Sequence, residues 1–547
     1  MSAKRIVVVG GVAGGMSFAT RYRRLNQQDE IIVLDKGPYV SFANCGLPYY
    51  ISGEIEDRGD LLVAKKEMLQ ARFQLDVREN HEVISINSDE KYVVALHNGV
   101  EHKVAYDTLV LSPGANPFLL NIEGMNGRNG IFTVRNIPDV DGITEYIETN
   151  NPKSAVVIGA GFIGLEMAES LKNKGLDVSI VEKAPHVLPP FDVEMAAYAS
   201  SELKRNGVHV YSNTSITKFE GNKGILEDGT AIDADLVIMS VGVIPATNLA
   251  KDAGIELGMR GGIIVDENYK TSVDDIYAVG DAIIVKHSIT KEDAMIALAS
   301  PANRQGRQLA DILSGLGSKN RGSLGTAIVR IFDLTFASTG LNERQLENRD
   351  YHVLHLNGRD HAGYFPGATP IRLKVIFDKN THEILGAQAF GAKGVDKRID
   401  IIATAIKAGM NVIDLQELEF TYAPPYGSAK DIVNMAGYVA QNLIEGHTKT
   451  VQWHEVTKLQ DEGVVFVDVR NNLKEDAAGI PGAIRVPLDS IRCNMHSIPV
   501  DKEIVVYCDS GQTSYNAEVI LRDAGYNVRN FNGSHLLYSK LVEEGVL

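Results

Sequence analysis

Cys45 lies in a short segment that could perform redox chemistry with a single sulfur atom. The segment reads Ser41-Phe42-Ala43-Asn44-Cys45-Gly46-Leu47-Pro48-Tyr49-Tyr50, and the next cysteine along the chain is Cys493. Because one thiol cannot form a disulfide with itself, an oxidised Cys45 must exist as a mixed disulfide, a persulfide or a sulfenic acid. These states indicate a small thiol-bearing substrate or a peroxide.

The reactivity of Cys45 depends on its ionisation. The thiolate is the nucleophile, and a free cysteine with a pKa of about 8.5 is mostly protonated at neutral pH. Gly46-Leu47-Pro48 is compatible with a turn into a helix, and a helix N-terminus favours negative charge. We therefore expect the folded chain to lower the pKa of Cys45.

Cys508 is a second candidate thiol. It follows the apolar run Ile504-Val505-Val506-Tyr507 and precedes Asp509-Ser510-Gly511. Cys493 lies in a connecting segment and is predicted to be structural.

Two glycine-rich turns predict two nucleotide sites. The first, Gly10-Gly11-Val12-Ala13-Gly14-Gly15, lies between an apolar strand and a helix, and Asp35 ends the next strand. Gly10 and Gly15 would bring backbone amides to a pyrophosphate, and Asp35 would bind a ribose hydroxyl. Val12 departs from the pattern, because a second glycine usually stands there.

The second turn, Gly159-Ala160-Gly161-Phe162-Ile163-Gly164, has every expected glycine. Gly159, Gly161 and Gly164 therefore predict a second dinucleotide site, with Glu182 at the end of the following strand. A carboxylate there accepts from a ribose 2′-OH and repels a 2′-phosphate, which favours NADH; the adjacent Lys183 leaves NADPH open.

Composition limits the class of protein. The 547 residues carry a net charge of −16 and three cysteines, so nucleic acid and anionic membranes are disfavoured as partners and no disulfide framework is possible. We find no run of about 18 apolar residues and no signal-peptide pattern, and we expect a cytoplasmic protein. No metal site is predicted.

The two nucleotide turns and the later Gly280-Asp281 turn occur in an order that resembles the two-dinucleotide flavoprotein disulfide reductases. The resemblance implies that the first turn holds FAD and the second NAD(P)H. It further implies that Asp281 binds FAD and that Phe162 covers the flavin until nicotinamide displaces it. A flavin beside the sulfur would be a second means of stabilising a Cys45 thiolate.

The pattern Ser-Phe-x-x-Cys-Gly-x-Pro-Tyr resembles the single-cysteine branch of that family, which contains NADH oxidases, NADH peroxidases and coenzyme A disulfide reductases. The match to the last of these assigns coenzyme A binding to Arg21, Arg24, Ser41 and Asn44. It also implies a homodimer in which Tyr364 and Tyr422 of the partner subunit reach the cysteine, with Tyr426 as the substitute for either.

The C-terminal segment resembles a rhodanese module, a carrier of sulfane sulfur. The resemblance implies that Cys508 ends a buried strand and begins a loop whose backbone amides can surround the sulfur and stabilise a persulfide anion. Cys508-Asp509-Ser510-Gly511-Gln512-Thr513-Ser514 matches the loop Cys-x-x-Gly-x-Arg-Ser except at Thr513, where arginine is usual. Because Asp509 also adds negative charge, we expect anionic donors such as thiosulfate to bind poorly. A module that keeps the fold and docks without turnover is the alternative.

Together these resemblances predict an α/β fold with two Rossmann-like dinucleotide-binding domains, an α+β dimerisation domain and a C-terminal α/β rhodanese domain. The predicted boundaries are 1–115 with 246–322 for FAD, 116–245 for NAD(P)H, 323–446 for dimerisation and 447–547 for the rhodanese domain.

The implied activity is FAD-dependent reduction of coenzyme A persulfide, coenzyme A disulfide or polysulfide by NAD(P)H. Cys45 and Cys508 would be the catalytic thiols. A NADH oxidase or peroxidase that uses a cysteine sulfenate, or a reductase carrying a sulfur-sensing module, are the alternatives.

Overall fold

The computed structural model describes residues 3–471, 473 and 477–547. The described chain divides into two compact units. One comprises the chain up to Lys183 together with Val208–Gly325, and the other comprises Ala184–Gly207 together with Thr326–Leu547. The predicted fold class is confirmed, with parallel Rossmann-like sheets, an antiparallel sheet and a C-terminal parallel sheet. The domain boundaries remain predictions.

The first unit contains a parallel sheet built from the N-terminal strand. Its strands are, in spatial order, Ile276–Ala278, Thr108–Leu111, Arg5–Val9, Glu30–Leu34 and Asp76–Arg78. Val7 and Val8 are fully buried, as parallel strands covered on both faces require. Gly10 and Asp35 follow the carboxyl ends of neighbouring strands, where open α/β sheets bind their ligands.

A second parallel sheet in the same unit repeats this arrangement. Its strands are, in spatial order, Val208–Ser212, Asp177–Glu182, Ser154–Ile158, Leu236–Met239 and Ile131–Phe132. Gly159 therefore follows one strand and Glu182 ends its neighbour, at the same edge of the sheet.

Smaller antiparallel sheets and helices complete the first unit. The strands are Glu82–Asn87, Tyr92–His97 and Val100–Ala105; Ile216–Glu220, Lys223–Leu226 and Ala231–Asp233; Ala115–Pro117 with Val243–Pro245; and Val285–Lys286 with Asp293–Ala294. The α-helices are Ala13–Leu25, Leu47–Ser52, Lys66–Phe73, Ile137–Asn150, Phe162–Asn173, Asn248–Asp252 and Ala299–Leu313, and the 3-10 turns are Asn44–Gly46, Arg58–Leu61 and Met259–Gly261.

The second unit begins with an antiparallel sheet. Its strands are, in spatial order, Ala327–Ile331, Leu334–Gly340, Ile384–Gly391, Pro370–Asp378 and Tyr351–Arg359. The helices Val193–Arg205, Val395–Ala408 and Ile432–Ile444 accompany it, with 3-10 turns at Glu343–Leu346 and Ile413–Glu417. Tyr351–Arg359 is the last strand of this sheet, and we call it the edge strand.

The C-terminal part of the second unit is a parallel sheet with short helices. Its strands are, in spatial order, Thr450–Val451, Asn527–Phe531, Glu503–Tyr507, Val465–Asp468 and Ile484–Arg485. The helices are Val456–Asp461, Ile491–Asn494, Gln512–Asp523 and Ser534–Glu543, and the 3-10 turns are Trp453–Glu455, Leu488–Ser490 and Met495–Ser497. Cys508 directly follows the central strand, as predicted.

A buried cluster of charges lies in the second unit. Lys374 is fully buried, and its Nζ contacts Asp192 at 2.8 Å as well as the carboxylates of Glu194 and Glu343. Burial alone would raise the pKa of Glu194, but Lys374 and His355 outweigh it and hold that pKa well below its usual range. The ammonium group therefore compensates carboxylates that could not otherwise remain charged inside the protein.

Among the described residues, the helices are all too short or too polar to cross a membrane.

Replacing Lys374 by methionine should destabilise the second unit by about 3–5 kcal/mol at neutral pH, because three carboxylates lose their buried counter-charge. The loss should shrink as the pH falls below about 4, since Glu194 has a lowered folded pKa and its stabilising contribution disappears on protonation. Urea unfolding followed by the fluorescence of Trp453, the single tryptophan, measures both effects.

Lys458→Met is the matched control, because Lys458 is 77% exposed and lies 3.7 Å from Glu462. It should change the unfolding free energy by less than about 0.5 kcal/mol. Equal effects of the two substitutions would contradict the proposed compensation.

Candidate active site

The two nucleotide turns share a backbone conformation that only glycine tolerates. Gly10 has φ +98° and Gly159 has φ +99°. A Cβ at Gly10 would lie 2.1 Å from the carbonyl oxygen of Ser112, and one at Gly159 would lie 2.5 Å from that of Ser240. Each turn is therefore pressed against the end of a neighbouring strand and cannot accept a side chain.

The later glycines have two different roles. Cβ atoms at Gly15 and Gly164 would lie within 2.0 Å of the carbonyl oxygens of Gly10 and Gly159, so these glycines let each helix pack closely on its own turn. At Gly161, by contrast, no other part of the described chain lies within 4 Å of a Cβ. That open space is where a pyrophosphate could approach the helix N-terminus.

The acidic residues at the strand ends are tied to these turns. Asp35 accepts hydrogen bonds from the amides of Gly11 at 2.7 Å and Gly37 at 2.8 Å. Glu182 accepts one from the amide of Ala160 at 2.7 Å. Burial raises the pKa of Asp35 despite its two backbone donors. Both carboxylates thus lie beside a glycine turn, where the sequence predicted a ribose ligand.

Arg135 is a residue that the sequence analysis missed. Burial raises the pKa of Asp281, and the guanidinium of Arg135 opposes that rise. The backbone carbonyl of Arg135 also accepts a hydrogen bond from the side-chain amide of Asn44 at 3.1 Å. Arg135 directly precedes Asn136, which caps the helix Ile137–Asn150, so its sequence context indicated only a helix start.

Cys45 lies in the 3-10 turn Asn44–Gly46, which leads into the helix Leu47–Ser52. Its side chain is exposed, yet desolvation raises the pKa of the thiol, and the carboxylates of Glu166 and Asp281 raise it further. The expected lowering of this pKa is therefore wrong for the polypeptide itself. Desolvation is the largest cause of the raised pKa, and the two carboxylates act in the same direction.

Glu166 reaches this region from the helix that follows the second glycine turn. It lies on the helix Phe162–Asn173 and accepts a hydrogen bond from the hydroxyl of Tyr49 at 3.2 Å. On the same helix, the Ser170 hydroxyl donates to the carbonyl of Pro48 at 2.8 Å. The cysteine segment is thus held directly against this helix, and the half-buried Phe162 begins it.

The residues predicted to bind coenzyme A lie in several settings. Arg21 pairs with Asp311 at 2.7 Å, while Arg24 is exposed and covers the ring of Phe73 at 5.1 Å. Arg23, between them in sequence, is buried and donates to the carbonyl of Phe73 at 2.9 Å. Arg23 therefore holds the C-terminal end of the helix Lys66–Phe73, and Arg21 and Arg24 remain as candidates.

Ser41 and Asn44 lie close to the first nucleotide turn and the cysteine. Ser41 has φ +49°, and its backbone amide donates to the carbonyl of Gly11 at 2.8 Å. Asn44 is exposed beside Cys45. Both side chains lie in the segment that the sequence assigned to the substrate.

Tyr364 and Tyr422, 58 residues apart in sequence, meet in the second unit. Their hydroxyl oxygens are 3.0 Å apart, and the hydrogen bond to Tyr422 raises the pKa of Tyr364. The two side chains are 77% and 49% exposed, and Tyr426 is 72% exposed. The structure therefore forms the predicted phenol pair on a surface that is open in the single chain.

Cys508 lies in a buried pocket in which one backbone amide donates to its sulfur and two hydroxyl oxygens lie close by. The residue is 2% exposed, and the amide of Gly511 donates to its Sγ at 3.0 Å. In the described chain, the hydroxyl oxygens of Ser514 and Ser534 lie 3.4 Å and 4.0 Å from Sγ. One amide and two hydroxyls thus surround the sulfur.

Arg470 supplies a guanidinium group near the Cys508 loop, which lacks the usual arginine at Thr513. Its Nη2 lies 2.7 Å from Asp468, and its Nη1 lies 3.5 Å from Asp509 and 3.0 Å from Nδ1 of His535. Burial and Arg470 both lower the pKa of His535. Two carboxylates therefore balance the positive charge.

Cys493 is exposed in the short helix Ile491–Asn494.

Three protein-family profiles match this chain. Residues 4–306 match the pyridine nucleotide-disulphide oxidoreductases, residues 326–431 match the dimerisation domain of the same family, and residues 452–540 match the rhodanese-like domain.

Curated relatives cover four-fifths of this chain. A coenzyme A disulfide reductase of Staphylococcus haemolyticus is 36% identical over 445 residues, covering 80% of this chain and 100% of the relative. One from Staphylococcus epidermidis is 37% identical over 440 residues with the same coverage.

Solved structures match the whole chain. Reduced CoADR-RHD of Bacillus anthracis is 47% identical with a TM-score of 0.98, covering 100% of this chain and 99% of that one. A NAD-dependent persulfide reductase from A. fulgidus is 35% identical with a TM-score of 0.93, covering 98% and 100%.

A water-forming NADH oxidase from Lactobacillus brevis, at 24% identity and a TM-score of 0.77 over 81% of this chain and 100% of that one, shares the fold alone. The predicted resemblance and enzyme class are confirmed by the profiles and the relatives. The chain belongs to the pyridine nucleotide-disulphide oxidoreductases, and it joins that family's dimerisation domain to a rhodanese-like domain.

Proposed function

We propose that this enzyme reduces coenzyme A persulfide and coenzyme A disulfide with NADH, using FAD and Cys45, and that Cys508 carries sulfane sulfur. One observation carries the proposal: two of the chain's three cysteines, Cys45 and Cys508, are isolated thiols in two different settings. Cys45 is exposed beside the first nucleotide unit, and Cys508 lies buried among an amide and two hydroxyls. The names of the similar reductases support the same substrates.

The residues at the two turns fit the cofactors. Gly10, Gly15, Asp35 and Asp281 would hold FAD, and Gly159, Gly161, Phe162, Gly164 and Glu182 would hold NADH. The open space at Gly161 supports this assignment. When bound, FAD supplies two-electron transfer from reduced nicotinamide to sulfur. Glu182 disfavours a 2′-phosphate by charge, and the similar A. fulgidus protein is NAD-dependent.

Coenzyme A would bind beside the first glycine turn. Arg24 is exposed and can meet a phosphate directly, whereas Arg21 would share its guanidinium between Asp311 and the ligand. Guanidinium groups suit phosphate geometry. Ser41 and Asn44 would contact the thiol end, because both lie in the cysteine segment and Asn44 begins the 3-10 turn that contains Cys45.

The sulfur chemistry at Cys45 begins with the thiolate. It attacks one sulfur of coenzyme A disulfide, forms a mixed disulfide and releases coenzyme A thiolate. Two electrons from NADH then cleave the mixed disulfide, so the sum is NADH, H⁺ and coenzyme A disulfide giving NAD⁺ and two coenzyme A thiols. With the persulfide, the products are coenzyme A and hydrogen sulfide.

The leaving thiolate needs a proton or a hydrogen-bond donor. We propose that the Tyr364 and Tyr422 pair supplies it from the partner subunit of a homodimer. The two side chains are highly exposed in the single chain, which supports their place on a surface that dimerisation covers. In their mutual hydrogen bond one phenol donates to the other, so the accepting phenol keeps its own proton for another partner.

At Cys508, the thiolate would take the outer sulfur of a persulfide and release the donor thiol. The Cys508 persulfide would then pass that sulfur to coenzyme A, which regenerates the cysteine thiolate. Because Asp468 and Asp509 balance Arg470, the loop offers little attraction to an anionic donor such as thiosulfate. Thiol persulfides are therefore the favoured donors.

A docked module without turnover is a second candidate for the C-terminal domain. Cys508 is 2% exposed, and this burial favours a docked module, since a carrier must admit its donor.

The domain division also remains a proposal. It assigns residues 1–115 with 246–322, 116–245, 323–446 and 447–547 to four domains, and the profile matches to residues 4–306, 326–431 and 452–540 are compatible with it.

Cys45→Ser should abolish NADH-dependent reduction of both coenzyme A disulfide and coenzyme A persulfide while leaving FAD bound, because no other thiol can form the mixed disulfide there. Cys508→Ser is the matched control for a thiol-to-hydroxyl change and should keep disulfide reduction at the wild-type rate. Anaerobic NADH oxidation, with the flavin absorbance as a check of loading, measures both. Turnover that survives Cys45→Ser would refute the mechanism.

Tyr422→Phe should lower the kcat for disulfide reduction by at least about 10-fold, since the leaving thiolate loses its donor. Co-expression of Cys45→Ser and Tyr422→Phe subunits then tests the partner's role. If the tyrosines act across the dimer, the mixed dimer has one intact site and recovers about half of the wild-type activity. A mixed dimer as inactive as its parents would place the tyrosines in the same subunit as the cysteine.

A further inference from the structure

The edge strand Tyr351–Arg359 exposes backbone groups that pair with a side chain of the C-terminal domain. The side-chain oxygen of Asn532 accepts from the amide of His355 at 2.9 Å, and its nitrogen donates to the carbonyl of Val353 at 2.8 Å. The same nitrogen also donates to Gln452 at 2.9 Å. Asn532 is 8% exposed. Its side chain thus pairs with backbone groups that a neighbouring strand would otherwise satisfy.

Asn532 lies two residues before a serine that touches the sulfur site. Ser534 is fully buried and has φ +55°, a conformation that surrounding structure must impose. Its hydroxyl oxygen lies 3.3 Å from the amide nitrogen of Cys508 and 4.0 Å from Sγ. The position of that hydroxyl therefore depends on how Asn532 is held.

The edge strand also contacts the Cys508 loop directly. The side-chain amide of Asn357 donates to the carbonyl of Ser510 at 3.1 Å. Ser510 immediately precedes Gly511, whose amide donates to Sγ of Cys508. Two separate segments that surround the sulfur are thus fixed by one strand outside the C-terminal sheet.

The strand itself is held by the buried charge cluster. The side chain of His355 is 7% exposed, and its Nε2 lies 3.1 Å from Glu194, which Lys374 contacts in turn. A strand fixed in this way can hold a neighbouring loop in one position.

We propose that Asn532 and Asn357 are positioning residues for Cys508, so that the sulfur pocket reaches its working geometry only while the C-terminal domain is docked on the edge strand. The inference rests on the proposed carrier role of Cys508. Joining the two domains in one chain would then have a structural consequence for the sulfur site, because the edge strand of the dimerisation domain helps to hold the residues around Cys508.

The test uses the full-length protein in a Cys45→Ser, Cys493→Ser background, which leaves Cys508 as the one cysteine of the chain. Asn532→Ala and Asn357→Ala are compared with Lys540→Ala. Lys540 contacts Ser201 at 2.8 Å and Glu543 at 2.6 Å. It lies in the last turn of the helix Ser534–Glu543, whose first residues meet the Cys508 loop. Two readouts are taken: sulfur transfer from glutathione persulfide to cyanide, and the pH profile of Cys508 alkylation by iodoacetamide.

Each asparagine variant should lower the kcat of sulfur transfer by about 5- to 10-fold with little change in KM, the effect expected of one lost hydrogen bond. Each should also move the alkylation midpoint to higher pH, since the thiolate loses a fixed donor. Lys540→Ala should match the background protein in both. Equal changes in all three variants, or no change in either asparagine variant, would overturn the proposal.

Two controls distinguish a variant that fails to fold from a failure of the proposed carrier role. Asn357 is partly exposed, so Asn357→Ala keeps the test valid if Asn532→Ala does not fold. If sulfur transfer persists in a chain that also carries Cys508→Ser, the carrier role is refuted. The alkylation profiles then still decide whether the edge strand positions the cysteine.

Discussion

The surroundings of Cys45 disfavour its own reactive form. Desolvation and the carboxylates of Glu166 and Asp281 raise the pKa of this thiol, although the proposed chemistry needs the thiolate. The polypeptide alone therefore keeps the sulfur protonated, and the compensation must come from what binds beside it. Such a site would become reactive only when flavin and substrate are in place, which protects a lone exposed thiol from unwanted oxidation.

The sequence predicts the parts of the site that are local. The glycine turns could be recognised because Gly10 and Gly159 need a left-handed conformation next to a strand, and Asp35 and Glu182 follow at a fixed spacing. The pairing of Tyr364 with Tyr422 came from family resemblance, since 58 residues separate them and no local pattern links them.

Long-range contacts could not be predicted in this way. Glu166 affects Cys45 from a helix more than 100 residues away, and Arg135 faces Asp281 from a helix start. The prediction for the pKa of Cys45 was wrong for the polypeptide because it considered the following helix and a bound flavin, but not burial and these carboxylates. Likewise, Arg470 follows the strand Val465–Asp468 and contacts Asp509 of the Cys508 loop. It thus supplies a guanidinium group near a loop that has no arginine of its own.

The central claim is that Cys45 reduces sulfur–sulfur bonds of coenzyme A rather than oxygen. The most direct measurement is anaerobic NADH oxidation by the purified protein, with kcat/KM determined for coenzyme A persulfide and coenzyme A disulfide and then compared with dioxygen and hydrogen peroxide. The account predicts that coenzyme A persulfide gives the highest kcat/KM, with the disulfide next. A higher kcat/KM for dioxygen or peroxide would contradict it and would assign Cys45 to sulfenic acid chemistry.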